Sequence, residues 1–256
     1  MAERLAGKVA IITGGTGGIG LATARLFINE GAKVFIIDQK QSAIESAVKA
    51  LGTNAAGVVA DVSQEPHVAH YTSLVVQTFG GFDICVLNAG IEGQIRPIWD
   101  YPTDSFDRVM AVNVRGVWLG VKHAIPVIAR RGGGSIIITS SLSGNQGARG
   151  ASPYVASKHA IIGIMKTAAL ECGHHRVRVN TVNPGVIDTQ MIRDLEKAYS
   201  PGAPEVTRRN ILASIPLQRY GTPEEVENLM LFLASDESTY CTGGEYFVSG
   251  GFGAGT

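Results

Sequence analysis

The sequence predicts an α/β fold: a single doubly wound domain with a parallel seven-stranded sheet and helices on both faces. Three observations carry this. Short runs rich in β-branched residues alternate with segments of helical period, the pattern of right-handed crossover units around a parallel sheet. The runs are almost continuously apolar, which suits strands covered on both faces. A glycine-rich turn joins the first run to the first helical segment.

The expected strands are Val9 to Ile12, Val34 to Ile37, Val58 to Ala60, Ile84 to Leu87, Ile136 to Ile138, Val177 to Val182 and Tyr246 to Val248. Helices are expected near 18–30, 42–51, 64–79, 104–130, 153–174 and 223–234. The rhythm breaks over 188–222, where Ser200-Pro201-Gly202-Ala203-Pro204 interrupts the chain. Placed after a strand's carboxyl end, where ligands bind in such sheets, this segment is a candidate substrate lid. No repeat, low-complexity tract or linker divides the chain, so 1–256 is read as one domain.

A length of 256 residues, 45% of them hydrophobic, is enough for one substantial core. Positive and negative side chains balance at 22 each, and no block of like charge occurs. This excludes an electrostatic case for nucleic acid or an anionic membrane and leaves small molecules as the expected partners. With no signal-peptide core and no apolar span of about 20 residues, a soluble, cytoplasmic protein is expected. Cys85, Cys172 and Cys241 lack metal-site or disulfide spacing, and His174-His175 lack a third ligand, so no metal is expected.

Thr13-Gly14-Gly15-Thr16-Gly17-Gly18-Ile19-Gly20 lies between the first strand and the first helix. There, a glycine-rich turn lets backbone approach a pyrophosphate and aims a helix N-terminus at it. About 20 residues later the second strand ends in Asp38, whose carboxylate can accept from both ribose hydroxyls and would repel a 2′-phosphate. No Arg or Lys stands at Gly15, Thr16 or Gly17, and Lys40 is the one nearby cation, so the expected cofactor is NAD. Asp61-Val62 and Asn88-Ala89-Gly90 end the third and fourth strands at the same edge, where an adenosine can lie.

Tyr154 and Lys158 stand four residues apart and share a helix face. A phenol titrates near 10, so it needs a neighbouring cation to act as an acid-base catalyst at neutral pH, and Lys158 can be that cation. Ser152 and Pro153 read as an N-cap and a first-turn proline, placing the pair where the helix dipole also favours negative charge.

Together these stretches resemble the short-chain dehydrogenase/reductase family over nearly the full length, with its Rossmann-type fold. The matching pieces are the turn at 13–20, Asn88-Ala89-Gly90, Asn113, Ser140-Ser141, Tyr154-x-x-x-Lys158 and Asn183-Pro184-Gly185. The resemblance implies a catalytic tetrad of Asn113, Ser141, Tyr154 and Lys158. Ser141 is taken over Ser140 and Ser143 because the family's serine precedes its tyrosine by thirteen residues. In the family the tyrosine protonates the carbonyl oxygen, the serine orients it, the lysine tunes the tyrosine and holds the nicotinamide ribose, and the asparagine binds a relay water. Pro184 and Gly185, with Ile187 through its backbone and Thr189 through its hydroxyl, are implied to hold the nicotinamide carboxamide.

The C-terminal stretch also matches, although Ser249 stands where aspartate is common. Family members are often tetramers, so a homo-oligomer, with a tetramer favoured, is expected. The tail 252–256 is read as packing across such an interface or fraying.

The expected activity is NAD-dependent interconversion of a secondary alcohol and a ketone. The expected substrate wall comprises Ile91, Ser143, Asn145, Met191, Ile192 and Val206, with Ser141 and Tyr154 on the reacting oxygen. Its largely apolar character favours a compact cyclic or aryl ketone. Three alternatives stand beside it: a 3-oxoacyl thioester reductase, a sugar or polyol dehydrogenase, and a non-catalytic dinucleotide-binding protein.

Overall fold

A computed structural model describes residues 3–254. Met1 and Ala2 lie outside the described residues, as do Gly255 and Thr256 of the expected tail. The strands are β1 (Val9–Thr13), β2 (Lys33–Asp38), β3 (Ala55–Val59), β4 (Ile84–Leu87), β5 (Gly134–Thr139), β6 (Val177–Pro184) and β7 (Glu245–Val248). They form one seven-stranded sheet in the order β3-β2-β1-β4-β5-β6-β7, parallel throughout.

The expected burial holds in the central strands: every residue of β1 and β4 is buried. On one face α1 (Gly18–Asn29) and α9 (Pro223–Ala234) cover Ile12, Ile36 and Ile137 with Phe27, Met230 and Leu233. On the other, α3 (Glu65–Phe79), α5 (Gly116–Arg130) and α6 (Ser152–Cys172) cover Ile11, Ile136 and Ile138 with Tyr71, Val117, Ile128 and Met165. Each fully buried aliphatic side chain contributes about 1.5–3 kcal/mol relative to exposure, so this two-sided core is what fixes the sheet. α2 (Gln41–Leu51) closes the edge beside β2 and β3.

β1 pairs with β2 on one side and β4 on the other, Thr13 standing beside Ile37 and Leu87. The winding reverses there, and the connections leaving β1 and β4 turn to opposite faces. A crevice opens between them, and it is this crevice that becomes the site.

Three elements differ from the sequence expectation. The helix expected over 104–130 is two helices, α4 (Thr103–Met110) and α5, joined by a π turn over Ala111–Arg115. Hydrophobic period cannot reveal a single π turn, because apolar residues continue through it. Ser152 is the first residue of α6 rather than its cap; Ala151 is the N-cap and no side chain caps the helix. The segment 188–222 contains two helices, α7 (Gln190–Tyr199) and α8 (Pro204–Ser214), separated by the Ser200–Ala203 break. Among the described residues no helix is long and apolar enough to cross a membrane.

Candidate active site

A cleft of about 930 Å³ runs along the carboxyl edge of the sheet. One end is built by the turn after β1. Gly14, at φ 63°, adopts a left-handed conformation that glycine takes without strain. Gly20 does not line the cleft. A Cβ there would fall 2.2 Å from the Gly14 carbonyl oxygen, so Gly20 lets α1 start tight against the turn. Thr16, Gly17, Gly18 and Ile19 face the cleft with Gly14.

Asp38 closes this end. Its Oδ2 accepts from the Thr16 backbone N–H at 3.1 Å and from the Thr16 hydroxyl at 2.6 Å, while Oδ1 accepts from the Gln39 N–H at 2.8 Å. The carboxylate is therefore held at the cleft rim beside the glycine turn. A glycine cradle at a helix N-terminus, with an acidic group held in line beyond it, fits a dinucleotide.

Ala60 and Val62 line the adjoining wall, but Asp61 between them does not. Its carboxylate turns away to the Ser63 hydroxyl at 2.7 Å and Arg108 at 3.3 Å. Burial works upward on this carboxyl, but the Ser63 hydrogen bonds and the Arg108 guanidinium outweigh it and hold the group below its ordinary value. The Asp61 side chain thus shapes the turn, and its neighbours Ala60 and Val62 are the residues that line the cleft.

Asn88, Ala89 and Gly90 line the cleft after β4. Asn88 Nδ2 donates to the Thr13 and Gly14 carbonyls at 3.2 and 3.3 Å, and the Thr139 hydroxyl donates to its Oδ1 at 3.1 Å. The amide side chain thus ties β1, β4 and β5 together at the crevice.

The middle of the cleft holds the acid-base pair. Lys158, 5% exposed, donates to the Thr139 carbonyl at 2.9 Å, and its Nζ lies 5.4 Å from the Tyr154 ring centroid. Burial alone depresses the ammonium to about 8. Tyr154 is pushed up to about 12: burial raises it, the Ser141 hydroxyl beside it lowers it, and the Glu92 carboxylate raises it again. The sequence expectation that Lys158 pulls this phenol down is not met in the chain by itself, because the ammonium is spent on Thr139 and desolvation dominates. At neutral pH Tyr154 is a phenol with a proton to give.

The neighbouring serines separate cleanly. The Ser140 hydroxyl donates to the Lys158 carbonyl at 3.3 Å, a structural bond within the core. Ser141 accepts from the Ser143 N–H at 3.1 Å, and its hydroxyl lies beside the Tyr154 phenol. Both Ser141 and Ser143 line the cleft.

Asn113 sits inside the π turn and is 1% exposed. Its Oδ1 accepts from the Ile91 N–H and its Nδ2 donates to the Ile91 carbonyl, both at 2.8 Å; Nδ2 also donates to the Ser157 hydroxyl at 3.0 Å. Ser157 in turn donates to the Tyr154 carbonyl at 2.7 Å. The side chain does not line the cleft: it clamps the loop after β4 to the helix carrying Tyr154.

The far wall comes from β6 onward. Pro184, Gly185, Ile187 and Thr189 line it, and the Thr189 methyl would meet a Cβ on Gly18 at 3.0 Å, so the two ends of the cleft touch here. Met191 and Ile192 of α7 line the cleft, as does Ile91 after β4. Asn145 and Val206 do not. Asn145 donates to Glu245 at 2.9 Å and accepts from Asn183 at 3.4 Å, drawn off by polar groups of β6 and β7. Val206 is 43% exposed on α8, whose Thr207, Asn210 and Ile211 face inward instead.

Sequence reasoning also missed Glu92, Leu195, Tyr199 and Phe252 on this wall. A helical period through 190–199 would have found Leu195 and Tyr199 beside Met191. Glu92 carries no motif, and Phe252 belongs to the tail expected to pack across an interface or fray.

Comparison with known proteins agrees with this geometry. A family model described as enoyl-(acyl carrier protein) reductase matches residues 14–253. Cyclohexanol dehydrogenase of Acinetobacter sp. (strain SE19) is 34% identical over 255 residues, covering 98% of this chain and 97% of that protein. The crystal structure of levodione reductase superposes with a TM-score of 0.96 at 32% identity, covering 98% of this chain and 100% of that one. NAD+-bound xylitol dehydrogenase superposes with a TM-score of 0.91 at 33% identity, covering 96% and 99%. With a tyrosine, lysine and serine converging beside a dinucleotide cradle on this fold, the chain belongs to the short-chain dehydrogenase/reductase family of oxidoreductases.

Proposed function

We propose that this protein is an NAD(H)-dependent oxidoreductase that interconverts a secondary alcohol and a ketone, acting on a compact cyclic or aryl substrate. The observation that carries the reading is the position of Tyr154 and Ser141, whose hydroxyls share one end of a cleft that begins at the glycine turn and Asp38. When bound, the cofactor supplies or accepts the hydride. Tyr154 gives its proton to the carbonyl oxygen in reduction and takes it back in oxidation, and Ser141 donates to the same oxygen and fixes its direction. Lys158 lies beside the phenol ring, and its positive charge favours the phenolate that forms as the proton leaves. Asn113 holds the floor of the site in register.

NAD over NADP is supported by the Asp38 carboxylate at the rim, which a 2′-phosphate would have to approach. The same charge speaks against a 3-oxoacyl thioester reductase, and so does a net charge of zero, which gives an acidic carrier protein no overall attraction. The compact apolar substrate is supported by Met191, Ile192, Leu195 and Ile211 on the far wall. We further propose that α7 and α8 act as a lid and that the chain works as a homo-oligomer, a tetramer by family expectation. The exposed apolar side chains Phe106, Trp118, Leu170 and Phe247 on α4, α5, α6 and β7 support association. Cys85, Cys172 and Cys241 are free thiols, which is compatible with the reducing cytoplasm.

The test is NADH oxidation followed by absorbance with a panel of cyclic, aryl and acyclic ketones. Turnover concentrated in the cyclic and aryl members is expected. Turnover confined to the acyclic ketones overturns the substrate reading.

A further inference from the structure

The substrate end of the cleft holds a carboxylate that the reaction above does not use. Glu92 lies four residues past Asn88 in the loop after β4 and lines the cleft with Tyr154. The other acidic groups around it are engaged. Asp38 is held by Thr16 and Gln39, Asp194 accepts from Gln190 at 2.9 Å, and Glu196 accepts from Tyr220 at 2.8 Å. Glu92 has no hydrogen-bond or ion-pair partner among the described residues. A partly buried carboxylate without a donor is costly once a ligand displaces its water, so its presence here needs a ligand that supplies the donor.

Its position relative to the reacting centre is fixed. Asn113 clamps Ile91 from both sides of its peptide, and the same amide reaches through Ser157 to the Tyr154 backbone. Glu92 therefore leaves the chain one residue from a loop locked to the helix of the catalytic tyrosine. The facing wall is Met191, Ile192 and Leu195, which offer no donor, and the Tyr199 hydroxyl is already given to the Arg149 carbonyl at 2.6 Å. Beside Met191, Ile192 and Leu195 a ligand seated on Tyr154 meets apolar surface; Ser143, Gln146 and Asn210 line the cleft elsewhere, and Glu92 is the carboxylate there without a donor among the described residues.

We propose that Glu92 determines specificity by accepting a hydrogen bond from a hydroxyl that the ketone carries apart from its reacting carbonyl, making the substrate class a compact hydroxyketone and its product the corresponding diol. The inference rests on the ketone reductase reading and narrows it. In the reduction the reacting carbon gains hydride and the reacting oxygen gains the Tyr154 proton, while the second hydroxyl keeps all its bonds. The surroundings of the carboxylate agree. Burial and the Asp194 charge push Glu92 up to about 7, and the groups facing it are Asp194 and Tyr199 from α7 and Tyr154 from α6, with Lys158 directed to Thr139 instead. An ionised acceptor binds a hydroxyl more strongly than a neutral one, so selectivity should grow as pH rises through that value.

The experiment compares cyclohexanone with its monohydroxylated ring isomers, using NADH and reading the ratio of kcat/KM values. Wild type should favour at least one hydroxylated isomer by about 10- to 100-fold, with the ratio rising between pH 6 and 8. In Glu92→Leu the ratio should collapse toward one. Glu92→Gln, which keeps an accepting oxygen, should recover part of it without the pH dependence. NADH binding and melting temperature verify that each variant is folded. Turnover of these ketones with the same ratio in wild type and Glu92→Leu sinks the assignment alone. Absence of turnover on every ring ketone by wild type sinks the reductase reading and this assignment with it.

Discussion

Lys158 stands beside the face of Tyr154, its Nζ 5.4 Å from the ring centroid, and donates to the Thr139 carbonyl at the end of β5. The two groups arrive from one helix face, and both are displaced from their ordinary titration by burial, the phenol up to about 12 and the ammonium down to about 8. Such a pair is a proton donor waiting for a developing negative charge.

Removing the phenol hydroxyl tests this directly. Tyr154→Phe should lower kcat by about 10³-fold, within the range for loss of a general acid. Cofactor affinity, read by NADH fluorescence titration, should change little. Substantial residual turnover takes Tyr154 out of its role.

Asp38 is the proposed determinant of cofactor choice. NADH should be preferred over NADPH by about 100-fold in kcat/KM, and Asp38→Ser should shrink that preference while loosening the turn that Thr16 makes with the carboxylate. An equal or faster wild-type rate with NADPH overturns the assignment.

α7 is tied down by a buried bond between Tyr220 and Glu196, 7% and 5% exposed, with Arg208 packed over the tyrosine ring at 4.8 Å. Tyr220→Phe leaves the carboxylate without its donor, a cost of about 1–3 kcal/mol. The melting temperature should fall by about 5 °C. Because α7 carries Met191, Ile192 and Leu195, KM for the ketone should rise more than kcat falls. A lower melting temperature with unchanged KM would confine the bond to stability.

Glu92 also makes a prediction about stability. Its folded value of about 7 lies above the ordinary carboxyl value of 4.5 expected for an unfolded chain. As pH rises through this window the unfolded chain has already lost the proton that the folded chain still holds, so wild type loses stability between roughly 4.5 and 7. Glutamine does not titrate. The melting temperature of Glu92→Gln relative to wild type should therefore increase by about 2 °C or more from pH 5 to pH 8; a constant difference would count against the buried carboxylate.

The sheet was legible because its central strands are apolar runs covered on both faces, as Ile11-Ile12 and Ile136-Ile137-Ile138 illustrate. The turn at 13–20 and the Tyr154/Lys158 pair were legible because their spacing is local. What escaped depends on partners distant in sequence. Asn145 is drawn off by Asn183 and Glu245, which no window of ten residues contains, and Asp61, besides its local bond with Ser63, is reached by Arg108 from 47 residues away. Asn113 was named through family resemblance, but its work as a clamp on Ile91 depends on a π turn that leaves no mark on hydrophobic period.

That π turn is also a phase shift. It lodges one residue more than an α-helical turn holds, and each residue rotates a helix by about 100°. The faces presented by α4 and α5 are thus offset from those of a single continuous helix. Deleting one residue from Ala111–Arg115 would give a smoother helix and a misaligned enzyme, because either Asn113 leaves Ile91 or the whole of α5 turns its apolar stripe off the sheet. The reading frame of this helix, counted in degrees, is part of the active site.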